Sequence, residues 1–232
     1  MKAGRTVVVG DVHGCYDELL ALLDAVEFSE EDRLVCVGDL VVKGEKNRQV
    51  LDLFMSDERL SSVLGNHDRA VLRALRGEPV KLKPHQEKCV AELREGGERY
   101  TVYLESLPLW IELEEHVVVH AGVRPGVALK EQAVEDVTEL RTLGADRTSR
   151  EGVPWYEVYE GEKTVLFGHW PAALPRRGPR ALGLDTGCVY GFQLTAYVIE
   201  TQRLVSVHAR RAYSAPGGRA QSSEAQAGEG GA

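Results

Sequence analysis

The chain has 232 residues and a mass of 25.5 kDa, room for one large domain or two small ones. Hydrophobic residues make up 43% and charged residues 28%, a globular composition that excludes general disorder. The net charge of −8 (28 Lys+Arg against 36 Asp+Glu) has the wrong sign for a protein whose main partner is nucleic acid.

Taken in chain order, residues 5–9 are apolar and β-branched, a buried strand. The region before them is too short for a signal-peptide core, and no apolar run approaches the roughly 20 residues that cross a bilayer. The chain therefore reads as cytoplasmic, with no membrane partner. Residues 16–26 carry leucines at 19, 20, 22 and 23, a helical stripe. Residues 33–37 form a second strand, 47–55 a second helix and 61–64 a third strand, after which Arg69 opens a helix. Strands buried on both faces and separated by helices indicate βαβ units and an α/β fold. Residues 84–106 are mainly helical. Strands then follow at 109–113, 117–120, 164–168, 181–185, 193–200 and 204–208, so two mixed sheets packed face to face with helices outside are expected.

Residues 212–232 hold six Ala, five Gly and three Ser, with no Val, Ile, Leu, Phe, Trp or Met. Such a segment cannot bury enough apolar area to offset its ordering entropy. A disordered tail at 212–232 behind a folded domain at 1–211 is the expectation. Cys15, Cys36, Cys89 and Cys188 form no CxxC pair and head no Cys-x5-Arg loop, so buried reduced thiols are expected rather than a zinc ribbon or a cysteine phosphatase.

Five polar clusters stand where strands run out: Gly10-Asp11-Val12-His13-Gly14, Gly38-Asp39 through Lys43-Gly44, Gly65-Asn66-His67-Asp68, His120-Ala121-Gly122 and Gly168-His169-Trp170. Ligand sites of α/β sheets lie beyond the carboxyl ends of strands. A lone Gly-Asp is ordinarily a turn, and His85, His116 and His208 read as ordinary structural or solvated side chains. Five glycine-flanked repetitions of one arrangement are poorly explained as independent turns. Two aspartates, an asparagine and three histidines make a mixed O/N ligand set that suits Mn, Fe or Zn better than Ca or Mg. Six side chains are too many for one structural zinc and suit two catalytic ions sharing a carboxylate, about 3.5–4 Å apart.

These motifs in this order (GDVHG, GDLVVKG, GNHD, HAG, GHW) resemble the calcineurin-like metallophosphoesterases, within them the phosphoprotein phosphatase group and its bacterial relatives. GDVHGCYDELLALLDAVEF at 10–28, VLGNHD at 63–68, FGHW at 167–170 and LDTGCVYG at 184–191 look like the symmetrical diadenosine tetraphosphatases. The resemblance covers about residues 5–210. It implies the metallophosphoesterase fold with a dimetal site at the carboxyl ends of its strands. Asp11 and His13 would bind the first of two divalent ions, Mn(II) foremost with Fe, Co or Zn as alternatives. Asp39 would bridge both ions, and Asn66, His120 and His169 would bind the second. His67 matches the family's proton donor to the leaving oxygen. Lys43 stands where the family has a phosphate-holding arginine and keeps the charge without the bidentate fork. Arg141 falls in the segment that supplies a substrate arginine, and Asn66 would also hold phosphate.

Val42 stands where the protein phosphatases carry an aspartate that pairs with the catalytic histidine; the tetraphosphatases also lack that carboxylate. Asp68 is either its partial substitute or a helix cap. Only 49 positions separate His120 from His169. That is shorter than in the tetraphosphatases generally and similar to the short ApaH-like phosphatases. The implied reaction is in-line hydrolysis by a dimetal-activated water, with no phosphoenzyme. The implied substrate is a dinucleoside polyphosphate, diadenosine tetraphosphate cut symmetrically to two ADP, or alternatively a phosphorylated protein or other phosphomonoester. Arg69 and the run 176–180 are read as surface cations.

Overall fold

A computed structural model describes residues 4–215; of the tail expected at 212–232, residues 216–232 lie outside the described residues. The alternation of valines explains the layering. β1 (Thr6–Val9) is buried along its whole length. Val7 and Val9 pack with α1 (Tyr16–Ala25) and α2 (Asn47–Ser56), while Val8 packs with Val35, Val118, Leu166 and Leu182. Successive side chains of a strand point to opposite faces, so one strand feeds two cores.

β1 lies parallel to β2 (Arg33–Cys36), which lies parallel to β3 (Leu60–Ser62). On the other side β1 pairs antiparallel with β11 (Gln193–Val198), and β11 with β12 (Arg203–His208), giving the order β12-β11-β1-β2-β3. The second five-stranded sheet runs β4 (Trp110–Glu112), β5 (His116–Val119), β8 (Thr164–Phe167), β10 (Ala181–Gly183), β9 (Arg176–Gly178). Its three central strands are parallel and its two edges antiparallel. A two-stranded hairpin, β6 (Thr142–Leu143) with β7 (Val153–Pro154), lies outside both sheets.

The two sheets meet through Val8, Val35, Val37, Val63, Val118, Leu166, Leu182 and Leu184, all buried. Helices α3 (Asn66–Leu75), α4 (Pro84–Glu95) and α5 (Arg99–Ser106) join α1 and α2 over the first sheet. Val117, Val119, Val165 and Phe167 form the opposite face of the second sheet under Trp155, Tyr156 and Leu140, the last just after α6 (Val134–Glu139). The expected pair of packed mixed sheets flanked by helices is thus the architecture. The helical stretch expected at 84–106 is two helices broken at Gly96-Gly97, and the expected basic surface run at 176–180 contains an edge strand.

Backbone contacts continue past 211. Ala212 bridges to Tyr190, Tyr213 N donates to Val189 O (2.9 Å) and Tyr213 Oη donates to Glu18 Oε1 (2.7 Å). Residues 212–214 therefore pack on the domain, because Tyr213 brings an aromatic ring and a hydroxyl that the small-residue composition around it does not suggest. All four cysteines are buried and free. Among the described residues no helix is long and apolar enough to cross a membrane.

Candidate dimetal site

The parallel strands of both sheets end at one rim, and each releases its polar residues there. Asp11 follows β1, and its two carboxylate oxygens accept from His169 N at 3.1 Å. His13 Nδ1 donates to the Val41 carbonyl (3.1 Å), and His120 Nδ1, just after β5, donates to the Val37 carbonyl (2.8 Å). A carbonyl can only accept, so both neutral rings carry their proton on Nδ1 and present the Nε2 lone pair to the rim. Metal-binding histidines are typically held in this way.

Asp39 follows β2 and sits at the centre. Its Oδ2 is 3.5 Å from His13 Nε2, its Oδ1 is 3.6 Å from His120 Nε2, and Asp11 Oδ2 is 3.9 Å from His13 Nε2. Asp39 Oδ1 also accepts from His67 N (2.9 Å) at the first turn of α3, so the positive helix end faces the carboxylate. Asn66, the first residue of α3, places Oδ1 3.0 Å from His120 Nε2 and 3.0 Å from His169 Nδ1. Lone pairs meet without a proton between Asn66 Oδ1 and His120 Nε2, an arrangement that a cation stabilises. Ligands about 2.0–2.2 Å from a shared ion are separated from one another by about 3–3.5 Å. The donor set therefore fits two cations, one near Asp11, His13 and Asp39, the other near Asp39, Asn66, His120 and His169.

Burial sets the charge states. It pushes the Asp39 carboxyl up to about 6, against the nearby Lys43 ammonium and the α3 amides, which favour ionisation. Burial and then the charges of Asp185 and Asp39 push Asp11 well above the usual carboxylate range. Burial holds His120 down to about 4 and keeps His13, His67 and His169 well below the ordinary imidazole value. The imidazoles are neutral at pH 7, the form that binds metal.

The backbone here is strained. His13, Asp39, Val42, Lys43 and His169 have φ of 48°, 52°, 80°, 72° and 67°. Positive φ is a genuine outlier for a β-branched residue such as Val42, and each such residue costs roughly 1–3 kcal/mol. Val42 N donates to Asn47 Oδ1 (2.8 Å), which helps hold the turn. Gly168 shows why glycine precedes a site residue: a Cβ there would overlap Asp11 Oδ1 and come 2.6 Å from Val37 Cγ2.

The structure brings together all six expected ligand residues, with His67 beside them, its ring 5.2 Å from that of His13. Lys43 donates to His13 Nε2 (2.8 Å) and lies 5.4 Å from the Tyr190 ring centroid. Arg141 donates to Thr148 O (2.9 Å), and its charge favours the ionised form of Asp39 and the neutral form of His169. Asp68 does not orient the His67 ring. Its carboxylate accepts from Leu40 N, Val41 N and Gly65 N, each at 3.2 Å, and so ties the GDLVVKG loop to the start of α3.

Arg69 pairs with Glu135 (2.8 Å), and Arg176 stacks on Trp170 (4.4 Å) while donating to Trp170 O (3.0 Å). Arg176 is therefore a structural residue, not a solvated one. His85, expected to be ordinary, lies with its ring 5.8 Å from that of His67. Two rim residues escape the sequence reading. Asp185, just after β10, is buried and its carboxyl is pushed up to about 6 by burial; it has the same strand-end signal as the other five clusters. Gln86 contacts His67 from α4, and nothing in its sequence context marks it.

The sequence profile of the calcineurin-like phosphoesterase family matches residues 4–198. The bis(5'-nucleosyl)-tetraphosphatase PrpE [asymmetrical] of Bacillus subtilis is 33% identical, over 86% of this chain and 93% of that protein. The symmetrical bis(5'-nucleosyl)-tetraphosphatase of Vibrio parahaemolyticus is 31% identical, over 86% of this chain and 97% of that protein. A crystal structure described as that of a candidate diadenosine tetraphosphatase superposes with a TM-score of 0.77 at 34% identity, over 90% of this chain and 95% of the other. A serine/threonine phosphatase of Saccharomyces cerevisiae shares the fold, with a TM-score of 0.65 at 15% identity over 89% of this chain and 79% of that one.

Proposed function

The chain belongs to the calcineurin-like phosphoesterase family, and from that premise we propose that it is a dimetal phosphohydrolase of bis(5'-nucleosyl) tetraphosphates. One observation carries the reading: donor atoms of Asp11, His13, Asp39, Asn66, His120 and His169 converge at separations of 3.0–3.9 Å at the ends of strands from two sheets. Asp11, His13 and Asp39 would hold one divalent ion, and Asp39, Asn66, His120 and His169 the second, with Mn(II) the first choice. When bound, such a pair supplies Lewis-acid charge to the phosphoryl oxygens and a nucleophile from water at neutral pH.

The remaining work falls to the chain's own side chains. Asn66, Lys43 and Arg141 hold non-bridging oxygens; the flexible Lys43 stem lets its ammonium leave His13 Nε2 for the phosphate. His67 faces the leaving oxygen as donor. Cys15, Cys36 and Cys89 are poor candidates for a nucleophile: the hydrogen bond with Cys188 and then burial push the Cys15 thiol up, and burial pushes Cys36 up and Cys89 to about 12. The catalytic domain extends past the expected boundary at 211 to include 212–214, and the four free thiols fit a cytoplasmic setting.

The motif run and the symmetrical relatives favour cleavage to two nucleoside diphosphates. A second reading, asymmetric cleavage, is favoured by length. Alignments to the PrpE proteins of Bacillus velezensis and Bacillus subtilis span 235 and 227 positions for 90% and 86% of this chain, whereas two symmetrical relatives need 261 and 266 for 86% and 85%. The symmetrical relatives thus carry insertions that this chain lacks. Incubation with diadenosine tetraphosphate and Mn²⁺ decides between them: ADP alone supports the symmetric cut, equal AMP and ATP the asymmetric one. Phosphopeptides run in parallel would reveal a protein phosphatase instead.

A further inference from the structure

We infer that Cys15, Glu18 and Cys188 form a further metal site, built for a thiophilic divalent ion, Zn²⁺ foremost. None of the three belongs to the ligand set at the rim, and the inference stands apart from the phosphohydrolase reading.

Two segments assemble the site. Cys15 is the N-cap of α1 and Glu18 the third residue of that helix, so the two lie three positions apart on one helix face. An N-cap residue ordinarily turns a side-chain oxygen back onto the helix amides. Cys15 makes no such bond. Its sulfur lies instead within 4.8 Å of Cys188 Sγ and of a Glu18 carboxylate oxygen, and those two lie equally close to each other. Cys188 arrives on the turn 187–191, where Tyr190 N donates to Gly187 O and Gly191 N to Cys188 O, both at 2.9 Å. All three residues are only 1% exposed.

The donors are poorly served by the protein alone. Glu18 Oε1 accepts from Arg210 N (2.9 Å) and Tyr213 Oη (2.7 Å), but the buried Oε2 of the same carboxylate has no hydrogen-bond partner. Buried polar atoms are rarely left so, because the low dielectric around them makes the loss costly. The hydrogen bond of Cys15 Sγ to His13 O is long, 3.9 Å. A metal ion satisfies all three side chains at once. With Zn–S of about 2.3 Å and Zn–O of about 2.0–2.2 Å, neighbouring donors of a tetrahedral site stand about 3.6–3.8 Å apart, inside the separation found here. Sulfur ligands select Zn²⁺ or Co²⁺ over Mn²⁺ and Mg²⁺, and the thiol protons pass to solvent as the ion binds. The positive end of α1 faces the anionic donors. Three protein ligands leave a fourth position for water. A cavity of about 350 Å³, lined in part by Gly14, Cys15, Glu18 and Tyr213, opens beside them and gives the ion its way in. Bound there, the ion ties the start of α1 to the turn that carries Tyr190.

The test takes the full chain, reduced and saturated with Mn²⁺, and titrates it with Co²⁺ under nitrogen. The six rim ligands include no sulfur, so a sulfur-to-cobalt charge-transfer band in the near ultraviolet reports this site alone. The band should saturate at about one Co²⁺ per chain, and Zn²⁺ should abolish it. Cys15→Ser, Cys188→Ser and Glu18→Gln should each weaken Co²⁺ binding at least about tenfold, while Cys89→Ala should leave the band intact. Absence of the band at excess Co²⁺, or its survival in the protein carrying both Cys15→Ser and Cys188→Ser, overturns the inference. If the variants do not fold, anomalous diffraction from a Zn²⁺-soaked crystal of the unsubstituted protein decides. A peak bonded to the sulfurs of both Cys15 and Cys188 supports the site, and its absence while the rim is filled overturns it.

Discussion

Asp39→Asn separates the chemistry of the site from its cost. The substitution keeps the shape and the Oδ1 that accepts from His67 N (2.9 Å), and it replaces the oxygen 3.5 Å from His13 Nε2 with an NH₂. Both proposed ions lose a negative neighbour and the first loses a ligand, so turnover should fall by on the order of 10³–10⁴, the equivalent of several kcal/mol of Lewis-acid stabilisation. Stability should move the other way without metal. Burial raises the Asp39 carboxyl from 3.8 to about 6, so its contribution is fully present below pH 3.8 and is lost as pH rises through 6. At pH 8 the ionised group costs, from 6 − 3.8 = 2.2 pH units at 1.36 kcal/mol each, on the order of 3 kcal/mol, an upper limit because the asparagine is buried too. In chelator at pH 8 the variant should therefore melt several degrees above the unsubstituted protein, with the gain gone by pH 4. Mn²⁺ should reverse the order, since only the intact site binds both ions. Thermal unfolding with and without Mn²⁺ reads all of this. A metal-free variant that melts lower at pH 8, or an equal Mn²⁺ shift in both proteins, refutes the reasoning.

Gly168→Ala should push the Asp11 carboxylate and the Val37 side chain aside and cost about 1–3 kcal/mol of overpacking, with metal content by elemental analysis falling below that of the unsubstituted protein. Lys43→Ala should cut kcat/KM about 10–100-fold, mainly through KM, as expected for a lost charged contact to phosphate in steady-state assays. Asp32→Asn should cost about 1.5–3 kcal/mol at pH 7 by urea unfolding, since the Asp32 carboxylate is buried and accepts from the Arg5 guanidinium (2.6 Å), Arg5 N (2.8 Å) and Ser29 N (2.9 Å). The Arg5 guanidinium holds the Asp32 carboxyl well below the usual range, so this stability is present above about pH 4 and is lost as pH falls through the lowered value. The difference between the two proteins should shrink in acid.

The clustering of the six candidate ligand residues is legible in the sequence because the physics that places them is local. A buried valine strand, a glycine and a polar side chain recur at 10–13, 38–39, 65–67, 120–122 and 168–169, and parallel strands carry those ends to one rim. The same pattern recurs at Gly183-Leu184-Asp185, with a leucine between the glycine and the carboxylate. The positive φ of Val42 and Lys43 was invisible, because no valine announces a left-handed conformation; Asn47 and the loop around His13 impose it. The sequence does not mark helix α6, because six residues with two valines and a threonine have weak intrinsic preference; Val137 there is fully buried, and its carbonyl accepts from Ala121 N (2.7 Å). Gln86 was beyond reach for another reason. It meets His67 across 19 positions of sequence, and its own sequence context signals only the start of a helix.

Anomalous diffraction from a Mn²⁺-soaked crystal tests the pairing of cations most directly. Two peaks about 3.5–4 Å apart, one against Asp11, His13 and Asp39 and the other against Asp39, Asn66, His120 and His169, are the predicted result. A single peak, or peaks away from Asp39, would contradict it.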